Sequence, residues 1–260
     1  MTRQDNEQIK SLQADYEREG YAIVRGLLDE AELDELRRAI DTPLMQQERQ
    51  ANRRDDYGGL SIIHDTMLLH PPFLKLARHE RLLDIIEALV GPDIEIQHSK
   101  INWKPSQKGS GEVHWHQDFP YLPHTNHDLC AAFFVLEKTT PENGCMRVVP
   151  GSHKLGQLKH VDENGKLLRY VNDERFDPAT CKPVDLLLEP GDCSIHHVLA
   201  LHSSYPNQSD NPRCAVIYEF RAADAFQLGG GVTKTTGVVV RGRASQAARC
   251  EAGVVMMPPK

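Results

Sequence analysis

Residues 91–103 read GPDIEIQHSKINW, and here the period of the chain changes from that of a helix to that of a strand. Before this point Leu82, Leu83, Ile86, Leu89 and Val90 recur at helical spacing, which predicts a helix over about Arg81–Val90 stopped by Gly91-Pro92. After it, apolar residues fall in short runs bounded by Gly, Pro and Asn: Ile94–Trp103, Glu112–Asp118, Leu129–Glu137, Met146–Val149, Val184–Leu188, Cys193–Leu199 and Cys214–Phe220. No helical stretch separates these runs, which argues against a parallel βαβ sheet and for an antiparallel sandwich or jelly roll.

Working outward from that boundary, Ile9, Leu12 and Tyr16 predict a first helix capped at Gly20, followed by a short strand at Tyr21–Val24. Asp29 with Glu32 has the form of a capping box, and Leu33, Leu36 and Ile40 stripe the helix behind it. From Gln46 to His70 the chain is polar and carries Arg53, Arg54, Asp55, Asp56 and Gly58-Gly59, which reads as an irregular loop in the position of a lid. Asn143-Gly144 predicts a tight hairpin between the third and fourth runs, and Gly229-Gly230-Gly231 a flexible turn, since it lacks the Gly-Lys-Ser/Thr ending of a phosphate loop. The expected organisation is one domain over 1–260: helices to about 91, a β core over about 92–224 and a C-terminal segment over 225–260.

The chain of 260 residues has 37 Asp and Glu against 30 Lys and Arg, a net charge of −7, and 40% hydrophobic residues. That balance, without a basic run, argues against a nucleic-acid partner. Cys130, Cys145, Cys181, Cys193, Cys214 and Cys250 form no C-x-x-C pair and read as small apolar residues of a reducing compartment. The longest apolar run, Leu129–Leu136, is too short to span a membrane, and a cytoplasmic location is expected.

The strongest chemical feature is His114-Trp115-His116-Gln117-Asp118. In a strand, alternate residues share a face, so His114, His116 and Asp118 project to one side. An imidazole and a carboxylate so placed reach one metal ion, and with one further His they make the facial triad of a non-haem Fe(II) site. A three-histidine cupin site beginning at His114-x-His116 would want a Glu about four residues on, where Pro120 and Tyr121 stand instead. The distal ligand is sought among His153, His160, His196, His197 and His202. His202 is favoured because its segment ends with Arg213 opening a strand, and a guanidinium fork there suits the far carboxylate of a dicarboxylate co-substrate.

His116-Gln117-Asp118, Pro120-Tyr121, Glu142-Asn143-Gly144-Cys145, Pro150-Gly151-Ser152-His153, and His202 ahead of Arg213 together resemble the phytanoyl-CoA dioxygenase family of Fe(II)/2-oxoglutarate oxygenases. The similarity extends to Glu19–Gly26 and Lys104-Pro105 and covers about residues 16–224. The resemblance implies a mainly β double-stranded β-helix, a cupin-like jelly roll, with flanking helices. It implies iron on His116, Asp118 and His202, and 2-oxoglutarate on Arg213 with Ser204 and Lys104. Ser203 stands where the family usually has Gly. His98–Asn102 and Trp115–Phe119 also resemble the ectoine hydroxylase branch, but Gln117 replaces its Ser and His98 its Gln, which argues against ectoine as substrate.

The expected activity is therefore hydroxylation of a small molecule at a C–H bond, using O2 and 2-oxoglutarate and releasing succinate and CO2. Halogenating relatives have Gly or Ala where Asp118 stands, so the carboxylate points to hydroxylation. His98, Lys100, Gln117, Tyr121 and His124 are candidate substrate contacts and favour a polar or anionic molecule. The alternative from another class is a non-catalytic jelly-roll protein that binds a ligand without redox chemistry.

Overall fold

The computed structural model describes residues 3–257, so the outermost ends of the expected domain lie outside the described residues. Helix α1 (Arg3–Glu19) ends where Gly20, at φ +79°, returns its N–H to the Tyr16 carbonyl, and the chain enters β1 (Tyr21–Val24). Helix α2 (Glu30–Ile40) opens with the reciprocal Asp29–Glu32 capping box. Helices α3 (Pro43–Ala51), α4 (Pro71–Ala77) and α5 (Glu80–Val90) follow, with β2 (Arg53–Arg54) and β3 (Leu60–His64) between α3 and α4. The remaining strands are β4 (Ile94–Lys104), β5 (Val113–His116), β6 (Leu129–Val135), β7 (Met146–Val148), β8 (Val184–Asp185), β9 (Cys193–His197), β10 (His202–Ser204), β11 (Arg213–Ala222) and β12 (Val238–Arg241).

Two antiparallel sheets result, the jelly-roll arrangement expected from the sequence but without a closed barrel. The larger runs β1-β9-β6-β11-β4-β3-β2, with β12 also paired to β4, and the smaller runs β5-β10-β7-β8. The outer face of the larger sheet buries Ile101, Phe134, Val216, Tyr218 and Phe220 against Leu33, Leu36, Phe73, Leu82 and Ile86 of the helices. Between the sheets, Ala131, Phe133, Val135, Ala215 and Ile217 meet Met146 and Val148. The helices thus back the large sheet and leave its inner face to the site.

Two expectations fail. The segment 46–70 is not an irregular loop: it holds the end of α3 and strands β2 and β3, and β3 pairs with β4 in the register Ile62↔Asn102 and His64↔Lys100. Its polar look comes from residues 46–59 ahead of the strand; β3 itself is short, with Leu60, Ile62 and His64 facing a cavity. Nor does Asn143-Gly144 close a hairpin. Both edges of β6 are taken by β9 and β11, so the chain crosses to the other sheet before forming β7. The turn residue itself is needed, since Gly144 sits at φ +82° and a Cβ there would lie 2.6 Å from the Tyr205 carbonyl oxygen and 3.0 Å from Lys104 Nζ.

Gly144→Ala is therefore expected to lose about 2 kcal/mol or more of stability, from the left-handed backbone and the carbonyl clash together. A lower urea midpoint at unchanged slope is the result that bears this out.

Candidate active site

The small sheet brings His116 and His202 together: β10 pairs with β5 in the register His202↔His116, and the two rings lie 4.1 Å apart between centroids. Asp118 joins them by a different route from the one expected. Strand β5 ends at His116, and Asp118 is in helical backbone at φ −75° and ψ −36°, its N–H held by the Val198 carbonyl at 3.1 Å. Strand alternation therefore does not place the carboxylate; a turn does. His114, expected on the same face, is exposed and lies edge-on to Tyr170.

Each ring is set with one nitrogen outward. His116 Nδ1 is 2.9 Å from the His114 carbonyl and His202 Nδ1 is 3.0 Å from that of Ala200, so each Nδ1 carries the hydrogen and each Nε2 offers its lone pair inward. Both Nε2 atoms lie 3.7 Å from an Asp118 oxygen. Donor atoms of the three residues lie within 4.8 Å of one another, and among the described residues this is the one group of His, Cys, Asp or Glu able to share an ion. Burial drives both imidazoles toward the neutral state that a metal needs. Burial alone would raise the Asp118 carboxyl, but His202 and His196 around it bring it well below the usual carboxylate range.

The other candidate distal ligands separate cleanly. His196 Nε2 is 3.4 Å from Asp118 Oδ2, so this buried ring backs the carboxylate from β9. His197 lies beside Tyr16 and His153, while His160 accepts the Gln117 N–H at 3.1 Å. In the Pro150–His153 stretch it is Ser152 that bears on the site: its Oγ accepts the Leu201 N–H at 2.8 Å, fixing the approach to His202.

Arg213 and Lys104 form the second part of the site, directly opposite in register on β11 and β4. Both are buried. Lys104 Nζ donates to Ser204 Oγ at 2.8 Å and to the Tyr205 carbonyl, and Arg213 Nη2 donates to the Gly144 carbonyl at 2.9 Å. Arg213 Nε and Nη1 have no partner, and these unused donors of a buried cation suit the carboxylate of a dicarboxylate. Burial lowers the guanidinium to about 10, and burial together with Arg213 lowers the Lys104 ammonium well below its ordinary value. Lys104, Arg213, Ser204, His116, Asp118 and His202 line one cavity.

A second cavity of about 380 Å³ continues outward from His116 and Asp118. His98, Lys100 and Tyr121 of the expected substrate contacts line it; Gln117 and His124 do not. Gln117 is buried and structural: its amide donates to the Gly156 and Leu199 carbonyls and accepts from Leu158 N–H. His124 is buried between the Leu122 carbonyl and Arg221. Both were misassigned because nearness in sequence to the metal motif does not give direction once the strand ends at His116.

Residues not anticipated also face this space: Asn102, His64, Tyr57 and Arg169. Asn102 was legible, since strand alternation places it between Lys100 and Lys104; His64 was hidden by the loop reading. Ser203, beside His202, accepts from Arg147 Nε at 2.7 Å, and that guanidinium is sandwiched between Trp115 and Tyr205 at 4.8 and 4.1 Å.

His124, His160 and His197 are held neutral mainly by burial, their values lowered to about 4, about 4 and about 3. The unfolded chain binds protons there first, from an ordinary value near 6.5, so stability is complete above pH ~6.5 and falls as pH drops toward ~4. Urea unfolding across this window should lose up to ~1.4 kcal/mol per pH unit for each such histidine; a flat profile would contradict neutral buried rings.

With this geometry in hand, comparison with known proteins is specific. The family model of phytanoyl-CoA dioxygenase matches residues 16–215. A probable alpha-ketoglutarate-dependent hypophosphite dioxygenase of Stutzerimonas stutzeri is 37% identical over 161 residues, covering 60% of this chain and 54% of that protein. A methylphosphonate hydroxylase of Gimesia maris is 31% identical over 157 residues, covering 60% and 56%. The chain thus spans about half the length of these two relatives. The crystal structure of the epimerase SnoN with Fe3+, alpha ketoglutarate and nogalamycin RO superposes with a TM-score of 0.73 at 24% identity, over 95% of this chain and 97% of that one. No helix among the described residues is long and apolar enough to cross a membrane. The family model's span takes in the metal motif, the buried cation pair and most of the strands between them, and the chain belongs to the phytanoyl-CoA dioxygenase family.

Proposed function

We propose that this protein is an Fe(II)- and 2-oxoglutarate-dependent dioxygenase that hydroxylates a small polar or anionic molecule. The observation that carries the reading is the join between the His116–Asp118–His202 group and the unused donors of the buried Arg213 guanidinium, in one cavity. The three donors leave half of an octahedral shell free, which suits a chelating co-substrate and oxygen. Iron(II) held there supplies the activation of dioxygen that couples 2-oxoglutarate decarboxylation to oxidation of a C–H bond. The names of the hypophosphite and methylphosphonate relatives support an anionic substrate.

In this reading the chain's own residues position and shield. Arg213 and Lys104, with Ser204, hold the distal carboxylate and so orient the other end of 2-oxoglutarate toward His116 and His202. Phe133, Ile217, Leu60 and Val113 give the cavity apolar walls that keep bulk water from the reacting centre. His196 lies beside the Asp118 carboxylate at 3.4 Å, and that carboxylate leaves no vacant position for a halide.

The test separates metal from co-substrate. His202→Ala should lose bound iron and succinate release together, since the other two ligands do not complete the set. Arg213→Leu should retain iron while raising the 2-oxoglutarate requirement by roughly 30-fold or more, the effect of about 2 to 5 kcal/mol expected for breaking a buried charge pair. Lys104→Met should show a weaker effect of the same kind. Unchanged iron content in His202→Ala would remove the proposed site, and parent-like 2-oxoglutarate dependence in Arg213→Leu would remove the role of that residue.

A further inference from the structure

The outer cavity carries a cation that nothing in the fold uses. Lys100 projects into it from the middle of β4, and among the described residues its ammonium makes no hydrogen bond or ion pair. Its neighbours on the same face are polar. His64 stands directly across from it on β3, and no hydrogen bond reaches that ring from the described residues. His98, two residues along, is buried at 6% exposure and gives its Nδ1 hydrogen to the Gln97 amide oxygen, which leaves Nε2 a lone pair without a partner; its ring lies 6.2 Å from that of His64. Asn102, two residues the other way, has an orphaned Oδ1.

The nearby acids do not neutralise Lys100. Asp118 belongs to the metal group. Glu219, opposite His98 in register, makes no ion pair, and neither of its oxygens has a partner. Burial, reinforced by Asp118 and only partly opposed by Lys100, pushes its carboxyl well up, toward the uncharged acid.

A charge count for the loaded site leads to the same place, and it rests on the 2-oxoglutarate oxygenase reading above. The two charges of iron(II) and the one of Arg213 balance Asp118 and the two carboxylates of 2-oxoglutarate. Lys100 is left over whichever state Lys104 takes. An unpaired ammonium on a partly desolvated wall is costly, and an anionic partner with several acceptor atoms offsets that cost.

We propose that the substrate bears a small oxyanionic head group, of phosphonate or carboxylate type, held by Lys100 with His64. Tyr57 and Arg169 form the outer rim of this place, and the rest of the substrate extends toward His116 and Asp118. Lys100, which borders the inner cavity as well, thereby becomes the residue that selects the anionic end of the substrate, as Arg213 does that of the co-substrate.

The test uses binding rather than turnover. The metal-free full-length protein is titrated calorimetrically with inorganic phosphate and, separately, with acetate at constant ionic strength. Saturable binding of at least one probe is expected, weakened by ~30-fold or more in Lys100→Met, largely restored in Lys100→Arg, and retained in Arg213→Leu. The relative affinities of the two probes distinguish a phosphonate-like from a carboxylate-like head group. Binding that survives Lys100→Met but is lost in Arg213→Leu places the anion in the co-substrate pocket and overturns the proposal, as does no binding of either probe to the parent protein. The oxygenase reading fails separately: Lys100-dependent anion binding without any Fe(II)-dependent succinate release would sink the enzyme and leave the anion site standing.

Discussion

Two buried cations facing each other across neighbouring strands are the constraint on which this structure turns. Arg213 and Lys104 are 2% and 1% exposed, they oppose in register, and no carboxylate lies within ion-pair distance of either among the described residues. Burying such charges is unfavourable unless they are paired, and here the fold supplies only neutral oxygens, from Gly144, Ser204 and Tyr205. An anion entering this pocket would supply the negative charge that the fold leaves out. The turn at Gly144 belongs to the same device, since its carbonyl fixes the fork and its lack of a side chain leaves room for Lys104.

The two sheets divide the work. The small sheet supplies the histidine pair through β5 and β10, and its outer side is tied by Arg147, which joins Ser203 to the rings of Trp115 and Tyr205. The large sheet lines the two cavities along one strand face: His98, Lys100, Asn102 and Lys104 on β4, with His64 beside them on β3. Asp118 is the exception, because it belongs to neither sheet and is held by a turn whose frame includes Gln117 and His160. A carboxylate placed by a turn is only as fixed as that frame, which accounts for the full engagement of the Gln117 amide.

Chain elements from far apart enclose the entrance. Arg169 pairs with Asp56 and stacks 4.2 Å over Tyr57, joining the segment before β8 to the one before β3. Thr235 donates to Asp65 Oδ1 at 3.0 Å, bringing the turn after the glycine run against the end of β3, where Asp65 itself sits at φ +56°. The C-terminal segment pairs β12 with β4 and ties Arg249 to Asp224 and Asp128. The cavity in front of Asp118 is therefore shaped by ion pairs and turns rather than by a hydrophobic core.

The sequence by itself determined the change from helix to strand at Gly91-Pro92, the antiparallel class, the cap at Asp29 and the chemistry of the inner site. These depend on local periodicity, on backbone freedom at Gly and Pro, and on residue types that few environments tolerate, such as a paired His and Asp or an Arg opening an apolar strand. Tertiary structure decided the rest. Strand β3 was not visible because it is only five residues long, LSIIH, with apolar residues on both faces and a polar stretch before it. Gln117 and His124 look like site residues beside Asp118, yet the end of β5 at His116 turns them into the framework, whereas His64 and Arg169 reach the cavity from segments with no motif. Direction after a strand ends, and the pairing of distant segments, are set by packing and by hydrogen bonds across the fold, and no local pattern in the chain encodes them.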